Sequence, residues 1–91
     1  MSYNKYTMDR LVREENRKMK RLRFLVDLTE AILMQAPLTV QEALQLMDNT
    51  KRAVLELFPD KEEVYDLIYT PRFKRILAER FTVSGSNSGK N

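Results

Sequence analysis

Three charged residues interrupt otherwise apolar helical stripes: Glu15, Lys51 and Arg80. A carboxylate or amine turned inward can act as a general base, a general acid or an activated nucleophile, provided that a pocket and a second titratable group tune it. Opposite charges turned inward can equally pair with one another, and long basic side chains usually lay their stems on apolar surface with the charged head in water. The sequence favours that structural role for all three. It contains no His and no Cys, which removes imidazole acid–base chemistry, thiol nucleophiles, disulfides and Cys/His zinc sites. Its two glycines, Gly85 and Gly89, both lie near the C-terminus, so no glycine-rich phosphate loop is present. These residues argue against an enzyme and imply no cofactor and no metal, a site made only of carboxylates being the one metal arrangement left open.

A second constellation is the row Arg10, Arg13, Arg17, Lys20 and Arg21, whose spacing places five cations on one face of a helix. Such a row can track a phosphate backbone, with Arg72, Lys74 and Arg75 as further candidates. No Asn or Gln stands within the row itself to read base edges, so any nucleic-acid binding would be sequence-tolerant. Residues 1–23 carry eight Lys/Arg against Asp9, Glu14 and Glu15, a local net charge of +5 in a chain of net charge +3. The plainer account is a solvated helix face, with Arg10–Glu14 and Glu14–Lys18 at i,i+4 supporting helicity.

Opposite the basic row runs an apolar stripe, Met8, Leu11, Val12, Met19 and Leu22. Both stripes require a long first helix over about 8–35, free of Gly and Pro and ended by Pro37. From Phe24 onward the apolar residues spread round the cylinder: Leu25, Leu28 and Ile32 on one side, Val26 and Leu33 on another, Phe24 and Ala31 on a third. That half is expected to be buried by several neighbours.

Thr39 and Glu42 form a capping-box pattern that opens a second helix over about 40–58, with Val40, Ala43, Leu44, Met47, Val54 and Phe58 in phase. Asp48-Asn49-Thr50 could split it, but the unchanged phase on either side predicts continuity. Asp60 with Glu63 predicts a third helix over about 61–69, whose apolar face is Val64, Leu67 and Ile68 with Tyr65 and Tyr69 beside it. Thr70-Pro71 predicts a fourth over about 71–81, burying Phe73, Ile76, Leu77 and Phe81. Residues 1–7 are expected to fray, and the Ser/Gly/Asn-rich tail 82–91 to be disordered.

The expected fold is therefore all-α: one small four-helix domain organised on its long N-terminal helix as a partial antiparallel bundle. No strand pattern occurs. The longest apolar run, residues 31–34, is far below the ~20 residues of a membrane span, and no signal-peptide pattern opens the chain, so a soluble, cytoplasmic protein is expected. So small a core gains from self-association. A homodimer through the stripe of helix 1 is the leading expectation, within the class of protein–protein interaction or regulatory modules having a protein partner not identified by the sequence. Sequence-tolerant nucleic-acid binding through the basic row is the second reading.

Overall fold

The computed structural model describes residues 5–81 and is all-helical there, with α1 (Lys5–Gln35), α2 (Val40–Leu57), α3 (Glu62–Ile68) and α4 (Thr70–Phe81). Residues 1–4 of the segment expected to fray, and the whole of the tail 82–91, lie outside the described residues. Residues 5–7 belong to α1.

At 31 residues and ~1.5 Å per residue, α1 is about 46 Å long, more than the rest of the fold can cover. The first half of α1 is thus an arm: every residue from Met8 to Lys18 is exposed, and Met19 is where burial begins. In the second half Leu22, Val26, Thr29 and Leu33 are buried against α2 and α4. They join Ala43, Val54, Tyr65 and Phe73 in a core flanked by Leu25, Leu38, Leu46, Met47, Phe58, Tyr69, Ile76, Leu77 and Phe81.

Helix ends are set locally. The Thr39 side chain accepts from the Glu42 N–H at 3.0 Å, and the Glu42 carboxylate accepts from the Thr39 N–H at 2.9 Å, completing the capping box. α2 is continuous through Asp48-Asn49-Thr50 because each of these side chains has a partner one turn away. Asp48 pairs with Arg52, Asn49 accepts from Gln45 at 3.0 Å, and Thr50 donates to the Leu46 carbonyl at 2.9 Å. The Arg80 guanidinium donates at 2.6 Å to the Leu33 carbonyl, one of the last four of α1 and hence without an intrahelical donor.

Four expectations are corrected. The second half of α1 is not buried on every side: Phe24, Leu28 and Met34 are 57%, 45% and 55% exposed, since α2 and α4 both pack on the Leu22–Leu33 face and no described element covers the outer one. In α2, Val40 and Leu44 are likewise largely exposed. In α3 the buried residue is Tyr65, with Tyr69 half-buried after it, while Val64, Leu67 and Ile68 face out. The cause is that α4 follows α3 with only Tyr69 between them, so Tyr65, Tyr69 and Phe73 form one line at four-residue spacing into the core. Finally, α3 starts after Lys61 without a side-chain cap, and Thr70 spends its hydroxyl on Asp66 at 2.8 Å as the first residue of α4.

Candidate protein interface on the first helix

Two of the three inward charges have structural partners. Lys51, half-buried, bridges Glu62 and Asp66 at 3.0 Å each and so ties α2 to α3. Hydrogen bonds to Glu62 and Asp66 hold the Lys51 ammonium above its ordinary range, and the Lys51 and Thr70 hydrogen bonds hold the Asp66 carboxyl below its own. Arg80 is occupied by the Leu33 carbonyl and lies 5.5 Å from the Phe81 ring. Glu15 is exposed and lines a groove together with Lys61. Among the described residues, no group of three or more acidic side chains is placed to hold a metal ion, and no helix is long and apolar enough to cross a membrane.

That groove, about 260 Å³ in volume, lies between α1 (Glu15, Met19, Leu22), the end of α2 (Val54, Phe58), Lys61 and the first residues after it (Val64, Tyr65, Ile68, Tyr69). Its lining is apolar except for Glu15, Lys61 and two tyrosine hydroxyls, and the Lys18 ammonium sits 5.9 Å from the Phe58 ring at its edge. The Tyr65 hydroxyl is buried without a hydrogen-bond partner. Burial pushes this phenol up to about 12, against the opposing pull of the nearby Lys51 ammonium.

The apolar stripe divides at the groove. Leu22 belongs to the core and Met19 lines the groove, whereas Met8, Leu11 and Val12 are 46%, 47% and 53% exposed on the arm. On the groove's α3 side Val64 and Ile68 line it, and the 75% exposed Leu67 extends the apolar surface beyond. Half of this surface was legible as the helix-1 stripe. The other half was hidden because the apolar spacing of α3, read alone, points its Val64–Leu67–Ile68 side inward; the shared phase of Tyr65, Tyr69 and Phe73 is the signal that reverses it.

Met8, Val12, Glu15, Met19, Leu22, Val26, Thr29 and Leu33 follow an unbroken alternation of four- and three-residue steps, the spacing of a coiled-coil seam. The last four are the buried residues of α1, so the line that packs within the chain continues along the arm.

The basic row keeps the opposite face. Arg10, Arg13, Arg17, Lys20 and Arg21 are all exposed, and among the described residues none takes part in an ion pair; the Arg10–Glu14 and Glu14–Lys18 pairs do not form. Arg72 is engaged elsewhere, paired with Glu30 at 2.7 Å and stacked 5.6 Å from the Tyr69 ring. Exposed Phe24 and Leu28 continue the line of the row toward the helix C-terminus. The chain matches no protein-family model, no curated protein and no solved structure.

Proposed function

We propose that this chain is a small non-enzymatic interaction or regulatory module, working in the cytoplasm, that self-associates through its first helix and so presents its remaining surfaces to a protein partner. The observation that carries this reading is the apolar face of the arm, Met8, Leu11 and Val12, running in phase into the groove at Met19. Apolar surface that is contiguous and rimmed by charge is what protein interfaces are made of.

The test is the solution mass by light scattering, for the parent and for Leu11→Asp/Val12→Asp. Leu22, buried in the core, is unsuitable as a test position because a charge there would unfold the monomer. The parent is expected to be a dimer at micromolar concentration and the double variant a monomer of unchanged helicity. A double variant that kept the parent's dimeric mass would overturn the assignment.

A second reading, sequence-tolerant nucleic-acid binding, is supported by five unpaired cations on one exposed face. For it, Arg13→Glu/Arg17→Glu/Arg21→Glu should abolish binding of a short mixed-sequence duplex, and binding by the parent should weaken steeply with salt. Equal binding by parent and variant, or no binding by the parent at low salt, would remove it.

A further inference from the structure

We infer that the groove between α1 and α3 is the seat of the arm from a second copy of this chain, in a reciprocal antiparallel exchange whose two-fold axis passes close to Glu15. The inference rests on the self-association just proposed and adds the occupant, its direction and its register. Three observations lead to it. The seam spacing of α1 runs unbroken from Leu33 to Met8, so the arm presents the same kind of edge that the body packs against its own helices. Four of the apolar groups are also placed symmetrically about Glu15, while Val12 comes opposite the Lys18 stem. Leu11 and Met19 lie four residues to either side, and Met8 and Leu22 seven residues to either side. In an antiparallel pair centred there, each arm lays Met8 and Leu11 over the Met19–Leu22 end of the other copy's groove, and both grooves are filled by one operation.

The third observation is charge. Glu15 is the one acidic residue on the seam, and the two copies of it meet near the axis. Lys18 lies one turn away along α1, and Lys61 shares the groove lining with Glu15. Each copy therefore brings two ammonium groups for its one carboxylate. A parallel pairing would instead lead both arms away from the grooves, leaving Val64 and Ile68 exposed. The chain's own tail is a poor occupant, since among residues 82–91 only Val83 offers an apolar side chain of any size.

The register is testable because the chain has no cysteine. Variants Leu11→Cys and Met19→Cys are prepared separately, checked for parent-like helicity and mass, then mixed, allowed to exchange and treated with a short thiol-to-thiol cross-linker. In the proposed register the two positions face each other, whereas two copies of position 11 are offset by eight residues, about 12 Å along the axis. The expected result is a cross-linked mixed dimer, identified by its mass, in at least about tenfold excess over either self-linked product, the ratio that corresponds to a ~1.4 kcal/mol preference. Self-linking of Leu11→Cys would show a parallel pair and overturn the register. A dimer in which neither product forms would place the interface elsewhere and overturn the inference. A parent chain that stays monomeric at every concentration would overturn both this inference and the self-association on which it rests.

Discussion

Replacing Thr50 by Val should cost more than replacing Thr29 by Val, and replacing both should cost almost nothing. The two hydroxyls meet across the α1–α2 contact at 2.6 Å, with the residues only 6% and 3% exposed. A hydroxyl has one proton, and Thr50 places its own on the Leu46 carbonyl at 2.9 Å. Thr29 is therefore the donor of the bridge. Thr29→Val removes that donor and leaves the Thr50 proton satisfied, a loss of one hydrogen bond worth about 1 kcal/mol. Thr50→Val strands the Thr29 proton in the core at a cost of about 1–3 kcal/mol, held toward the lower end if the hydroxyl turns to the carbonyl four residues back. In the double variant both partners become apolar groups of the same shape, and the change should fall within about 0.5 kcal/mol of the parent. Urea unfolding followed by circular dichroism at fixed chain concentration reads these values. With a slope of ~1–3 kcal/mol per molar, a 2 kcal/mol loss moves the midpoint by about 0.7–2 M. Simple additivity, with the double variant less stable than Thr50→Val alone, would refute the donor assignment and the buried bridge with it.

Further consequences can be checked in the same way. Tyr65→Phe deletes a buried hydroxyl that has no partner, so its urea midpoint at neutral pH should equal or exceed the parent's. Because the folded phenol lies at about 12 against 10.0 for a free one, the parent should lose stability as pH rises from about 10 to about 12, and Tyr65→Phe should lose less. On the acid side the Asp66 carboxyl is depressed by Lys51 and Thr70, so its contribution is present above the ordinary value of 3.8 and drains as pH falls below it; in Asp66→Asn that acid-side slope should be shallower. Arg80→Met keeps the stem but uncovers the Leu33 carbonyl, an expected loss of about 1.5–3 kcal/mol for a charged hydrogen bond. Phe24→Ser/Leu28→Ser, on the open face of α1, should change stability by no more than about 0.5 kcal/mol per site.

Sequence reasoning succeeded where one helix carries its own signal. Pro37, the Thr39–Glu42 box and the unbroken phase through Asp48-Asn49-Thr50 are local facts, and the corresponding helix ends and continuity follow from them. Burial depends on neighbours, and there the reading failed in a consistent direction. Phe24, Leu28, Leu44 and Leu67 read as covered because they are apolar, but three shorter elements cannot surround a helix of 31 residues. Tyr65 and Phe73 were assigned to different helices with different faces, although one line runs through both. The buried threonines left no sequence signal of their own: each is explained only by the other, 21 residues away.

The arm poses a physical problem that the body does not. A helical segment of its length is only marginally stable in isolation, where ~12–15 residues is the usual limit. Here it propagates from a helix already nucleated by the core, and it contains no Gly or Pro to stop it. Propagation explains why the arm is helical; it does not explain why its apolar residues stay in step with the core. A seam repeating every 3.5 residues drifts about 20° per heptad on a straight helix, so over the three heptads between Met8 and Thr29 it turns by about 60°. The line that faces α2 and α4 at Leu33 has therefore swung partly off them by Val12. Within one chain the swing wastes the seam, whereas a second helix that supercoils with the first keeps it covered throughout. Glu15 is the last exposed position of the seam before the groove, a charge at a seam position that weakens pairing while fixing its register. Glu15→Leu should accordingly tighten the dimer by roughly tenfold or more while letting alternative registers compete, seen as a lower dissociation constant together with new cross-links in the Leu11→Cys and Met19→Cys background. A Glu15→Leu chain that associated no more tightly than the parent would take Glu15, and with it the seam, out of the interface.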